Sequence, residues 1–113
     1  MKFPFSWYCG EITTVEAEKH LMSKRFPTGT FIVWKTTSAP HTFSLSVRDE
    51  YFVKHYRICK LDTGGYLINN NESYGSLYDL VQHYRHNADE LVCSLTSPWS
   101  KSLAEDSGMH CIE

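Results

Sequence analysis

FIVWKTTSAPHTFSLSVRD, residues 31–49, decides the fold. Its first four residues are branched or aromatic, the composition of a strand. SAPH (38–41) breaks the run. TFSLSV (42–47) then alternates, with Phe43, Leu45 and Val47 on one side and Thr42, Ser44 and Ser46 on the other. Period two is the mark of a half-buried strand, so the stretch reads as two strands joined by a loop. Trp34 is the residue that stands out, an indole leading into the hydroxyl-rich loop Thr36-Thr37-Ser38.

Working outward, VKHYRICKL (53–61) alternates as well. Val53, His55, Arg57 and Cys59 face one way, and Lys54, Tyr56, Ile58 and Lys60 the other. TGG (63–65) signals a turn before a short strand, YLI (66–68). Upstream, Thr13 with Glu16 three residues later is a capping box, and Ala17, Leu21 and Met22 share a face. That predicts a helix over about 14–24, closed by Phe26-Pro27-Thr28-Gly29. Downstream, Leu77, Leu80, Val81 and Tyr84 recur with helical period and predict a second helix over 76–87. LVCSLT (91–96) is predicted as a last short strand, and the residues after Pro98 lose periodicity, as in a tail or linker. Helix, antiparallel strands, helix and strand make an α+β architecture, a central antiparallel sheet flanked by two helices.

Composition limits the function. The 113 residues form one domain large enough to bury a core unaided. A formal net charge of −2 argues against general binding of nucleic acid or anionic membranes. No run of about 18 apolar residues is present to span a membrane, and the start, MKFPFSWYCG, lacks the apolar stretch of a signal peptide. The expectation is a cytoplasmic protein whose four cysteines, Cys9, Cys59, Cys93 and Cys111, are reduced thiols, at least two of them buried. A secreted disulfide framework is the alternative on cysteine count alone. No CxxC pair exists, His83 and His86 lack a completing ligand, and no nucleophile stands beside a base. Neither a metal, a cofactor nor an enzymatic activity of this chain is therefore expected.

Six fragments occur in the order and at the spacing of one family: W-Y-x-G-x-I (7–12), G-T-F-I-V (29–33), SLSVRD (44–49), VKHYRI (53–58), KLDTGGY (60–66) and SLYDLVQHY (76–84). Over residues 6–98 the chain resembles a Src-homology-2 domain, most like those of Src-type cytoplasmic tyrosine kinases, and residues 99–113 then form the tail. The resemblance implies a noncatalytic reader of phosphotyrosine peptides. The peptide would cross the sheet edge, with phosphotyrosine on the first-helix side and the third residue after it beside the second helix.

One departure bears on that expectation. The family pattern is F-L-V-R, and its arginine grips the phosphate through two bonds; here the run is Phe31-Ile32-Val33-Trp34. A helper arginine near the start of the first helix falls on Thr14. An indole offers one N–H and no charge, so it cannot replace the guanidinium fork. Trp34, sharing a face with Ile32, is either extra core in a closed pocket or the neighbour of a surviving anion site. That site would comprise Thr14, Lys35, Thr36, Ser38, Ser44, His55 and Arg57, with loop hydroxyls and N–H groups supplying a nest. The specificity groove implied by the resemblance is lined by Tyr56, Ile68 and Tyr84. Expected partners are tyrosine-containing segments of signalling proteins, phosphorylated or not. An intramolecular kinase domain, regulated by packing against it, is the alternative.

Overall fold

The fold, taken from a computed structural model, is described for residues 7–22, 26–36, 42–68, 72–89 and 91–99. Five strands form one sheet in the order β1-β2-β3-β4-β5: β1 (Tyr8–Glu11), β2 (Phe31–Lys35), β3 (Thr42–Arg48), β4 (Val53–Lys60) and β5 (Tyr66–Ile68). Two helices, α1 (Thr14–Leu21) and α2 (Leu77–His86), complete it. The α+β architecture is as expected, with one difference. The sheet is not wholly antiparallel, because β1 pairs parallel with β2. WYxGxI contains no alternation that announces this edge strand.

The capping box forms as written in the sequence. The Glu16 amide donates to Thr13 Oγ1 at 3.1 Å and the Thr13 amide to Glu16 Oε1 at 2.9 Å, satisfying two of the helix's orphan donors. The helix stops at Leu21, short of the expected residue 24, and the Arg48 guanidinium donates to the Leu21 carbonyl at 3.0 Å. Ser76 caps α2 in the same way, accepting from the Asp79 amide at 3.0 Å.

Period two sorts the sheet into two faces. Phe31, Val33, Phe43, Leu45, Val47, Ile58 and Ile68 meet Leu77, Leu80, Val81 and Tyr84 of α2. On the other face Ile32 and Trp34 meet Ala17 and Leu21 of α1, with Phe26 and Trp99. β2, covered on both sides, is buried from Phe31 through Trp34.

Residues 91–96 are not the strand the sequence predicted. Leu91 and Leu95 are buried, but their backbone is held at single points. The Leu95 amide donates to the Tyr84 carbonyl and the Thr96 amide to the Gly29 carbonyl, each at 2.9 Å. Their apolar pattern reflects anchoring to the core and not a ladder. At Gly29, φ is +94° and an added Cβ would lie 2.7 Å from Thr96, so this close approach requires glycine. Trp99, placed by sequence at the head of the tail, is buried and stacks on His20 at 4.3 Å. Its amide donates to the Phe31 carbonyl at 2.9 Å.

The cysteines differ in part from expectation. Cys9 and Cys93 are half-buried and Cys59 is exposed. Burial pushes the Cys9 thiol up to about 11. Cys93 is raised too, by burial first and by Asp49 second. Cys111 lies outside the described residues.

Candidate functional site

Cross-strand register assembles the site. Trp34 pairs with Ser44, which pairs with Arg57; Ile32 pairs with Ser46, which pairs with His55. Opposed residues share a face, so Trp34, Ser44, Ser46, His55 and Arg57 all stand on the side covered by α1. This is the side where the sequence resemblance sets the phosphate.

Trp34 packs into the interior of this face. Trp34 is 2% exposed, and its indole meets the His55 ring edge-on at 6.4 Å. Trp34 Nε1–H donates to Ser46 Oγ at 2.8 Å. Ser46 Oγ lies 2.7 Å from His55 Nδ1, and His55 Nε2 lies 2.9 Å from Glu18 Oε2 on α1. The acceptor at the far end fixes the order of protons. The Glu18 carboxylate only accepts, so a neutral His55 carries its hydrogen on Nε2 and donates it there, which leaves Nδ1 to accept from the Ser46 hydroxyl, while Ser46 Oγ accepts from the Trp34 indole. A chain of four side chains thus runs from the buried indole to the surface of α1. Glu18, an anion supplied by the protein, occupies the far nitrogen of the imidazole.

Serine, histidine and carboxylate in sequence also compose an acyl-transfer relay, but Ser46 is 0% exposed. Its oxygen cannot meet a carbonyl carbon, and its hydrogen-bonding capacity is spent inside the protein.

The remaining expected residues fall in different places. Thr14 is exposed at the first turn of α1, and Arg57 is exposed on β4. Ser44 and Thr36 are half-buried. Lys35 is a correction: one residue beyond Trp34, it points to the opposite face, with Nζ 5.9 Å from the centre of the Phe43 ring. It therefore does not stand with Arg57 and His55. Ser38 lies outside the described residues.

The expected groove is also corrected. Ile68 and Tyr84 are each 1% exposed and belong to the α2-side core, so neither offers a surface to a peptide. Tyr56 is half-buried, and its hydroxyl accepts from the Val92 amide at 2.7 Å, pinning the segment after α2 to β4. An open depression of about 560 Å³ lies between the β4–β5 turn and the start of α2, lined by Lys60, Tyr66, Leu77 and Tyr78 among others. Sequence reasoning missed Ser46 and Glu18. Ser46 belongs to an alternating polar set that reads as solvent-facing. Glu18 is one of two acidic residues on a short helix, and the other, Glu16, is the one the capping box singles out.

Among the described residues no group of three or more His, Cys, Asp or Glu side chains is gathered for a metal, and His83 instead pairs with Asp89 at 2.6 Å. No helix among them is long and apolar enough to cross a membrane.

Comparison with known proteins agrees with this architecture. The family model described as SH2 domain matches residues 7–84. Over 111 residues the chain is 38% identical to the tyrosine-protein kinase Fgr of Mus musculus, covering 88% of this chain and 22% of that protein. The chain thus spans about a fifth of that curated relative. Among solved structures, the solution NMR structure of the SH2 domain of the Monosiga brevicollis CRK/CRKL homolog superposes with a TM-score of 0.76 at 29% identity, covering 88% of this chain and 91% of that one.

Proposed function

The chain belongs to the SH2 domain family and is a noncatalytic binding module, and from that premise we propose that it is an atypical member whose phosphotyrosine binding is weakened or lost. The observation that carries this reading is the buried Trp34, hydrogen-bonded through Ser46 and His55 to Glu18. A phosphotyrosine brings nearly two negative charges and three acceptor oxygens. The site offers it an indole already committed to Ser46 and an imidazole already committed to a carboxylate. Charge-assisted hydrogen bonds contribute about 1.5–3 kcal/mol each. Losing a bidentate pair therefore lowers affinity by about a hundredfold or more, at ~1.4 kcal/mol per tenfold.

Arg57 is the exposed cation left on this face of β4 and anchors any residual anion binding. The partners are tyrosine-containing segments of proteins in cytoplasmic tyrosine-kinase signalling, phosphorylated or not. The packed unit extends to Trp99, whose burial against α1 supports that boundary. Calorimetric titration with a tyrosine phosphopeptide and its unphosphorylated twin tests the proposal. The expected preference for phosphate is less than about tenfold, and a preference of several hundredfold overturns it.

A second reading rests on the relation to a tyrosine kinase of which this chain covers 22%. In that reading the domain packs on a catalytic domain and regulates it. Addition of this chain to such a kinase domain should then change its rate; an unchanged rate removes the reading.

A further inference from the structure

The chain has seven tyrosines, and the fold treats one of them differently. Tyr84 is buried, and Tyr8, Tyr66 and Tyr74 are half-buried against the rings of Phe43 and His83. The Tyr56 hydroxyl is held by the Val92 amide. Tyr78 is 45% exposed but sits in the first turn of α2, on backbone committed to the helix. Tyr51 is 77% exposed and lies at the tip of the β3–β4 hairpin. It makes no hydrogen bond or ring contact with a described residue.

The hairpin holds this hydroxyl clear of the sheet. At Arg48 the ladder ends firmly: its amide donates to the Thr30 carbonyl and its carbonyl accepts from the Gly29 amide, each at 2.8 Å. The Asp49 amide then donates to the Phe52 carbonyl at 2.7 Å, which leaves Glu50 and Tyr51 outermost in the turn. Exposed loop tips of this kind open locally at little cost. The side chains around the tip set its chemistry. The carboxylates of half-buried Asp49 and exposed Glu50 directly precede the tyrosine, and Phe52, 47% exposed, follows it. The flanking cations are turned elsewhere: the Arg48 guanidinium donates to the Leu21 carbonyl, and Lys54 Nζ lies 5.6 Å from the centre of the Phe52 ring.

We propose that Tyr51 is a phosphorylation site for a protein-tyrosine kinase whose substrate groove is cationic ahead of the tyrosine and apolar behind it. The Tyr51 hydroxyl oxygen attacks the γ-phosphorus of ATP. The bond from that phosphorus to the β,γ-bridging oxygen breaks, ADP departs, and the phenolic proton passes to a carboxylate of the kinase. The Asp49 and Glu50 carboxylates steer the encounter and fix its orientation, and Phe52 supplies the apolar contact. The product gains about −1.5 to −2 of charge at the hairpin tip, whereas Trp34 faces Ser44 further along the ladder. The inference goes beyond the reading of a weakened phosphotyrosine reader. It makes the chain a substrate, and it holds whether or not the Trp34 side takes a phosphate.

The probe is a purified tyrosine-kinase catalytic domain that accepts a glutamate–tyrosine copolymer, supplied with MgATP and the folded chain. Peptide mass mapping is expected to give an initial rate at Tyr51 about tenfold or more above that at each other tyrosine. Tyr51→Phe, on an exposed site, is expected to remove most of the incorporated phosphate while circular dichroism shows the same fold. Glu50→Lys, also on an exposed site, is expected to slow phosphorylation of Tyr51 about threefold or more. Phosphate spread evenly over the tyrosines, unchanged incorporation in Tyr51→Phe, an unchanged rate in Glu50→Lys, or no incorporation into the folded chain each overturns the inference.

Discussion

The two faces of the sheet are closed by different means. On the α2 side, apolar strand positions meet an apolar helical stripe. On the α1 side, an eight-residue helix contributes Ala17 and Leu21 as its buried residues. The remaining space is taken by Trp34, Phe26 and Trp99, and by a hydrogen-bonded chain from Trp34 to Glu18. The first face depends on shape and area, so any sequence with the right pattern can build it. The second depends on particular donors meeting particular acceptors across four elements, β2, β3, β4 and α1. A binding family can alter the second while keeping the first, and here the α1 side is filled by Trp34 and its hydrogen bonds.

The largest expected effect belongs to the α2 face. Leu80 is 0% exposed, and Leu80→Ala should cost about 2–5 kcal/mol in urea unfolding through lost burial and a cavity. A smaller cost would mean that α2 is loosely packed and the contrast between faces is overstated. On the α1 face, Ser46→Ala removes the acceptor of the Trp34 N–H and the donor to His55 together. About 1–3 kcal/mol should be lost, and the His55 ring nitrogen shifts should move by NMR. Stability lost without any change at His55 would break the proton order described above.

The smallest effect is chemical. Cys9 lies beside the α1 cluster and its thiol is raised to about 11 by burial. Near pH 8 it is almost wholly protonated, and thiolate is the reactive form. Iodoacetamide should therefore modify exposed Cys59 well before Cys9, as followed by peptide mass mapping. Equal rates would show that the α1 face opens freely.

Legibility in the sequence follows the same divide. Alternation in 42–47 and the stripe from Leu77 to Tyr84 expose the α2-side core directly, because one periodicity in each element is enough. The capping box at Thr13 and Glu16 is likewise local. The polar relay is not. It requires knowing that Ser46 is opposite His55 and diagonal to Trp34, a register that no single strand encodes, and that Glu18 projects over β4. Ser46 therefore read as a solvent-facing hydroxyl. Ile68 and Tyr84 read as groove residues because the resemblance carried that role with it, whereas their burial follows from the very periodicity that places them in the core. Trp99 was masked by its setting, a lone aromatic after a proline in an aperiodic stretch. β1 was missed because a parallel edge strand of four residues leaves little pattern.

The claim that Trp34 is what closes the phosphate site can be tested by restoring the arginine. Trp34→Arg reinstates a guanidinium fork beside Ser44, His55 and Arg57, while Thr14 still stands where the family has its helper arginine. Calorimetry with one tyrosine phosphopeptide on both proteins, after circular dichroism has verified folding, is the direct measurement. The variant is expected to bind about tenfold or more tightly than the parent. Equal affinity of a folded variant and the parent would contradict the account.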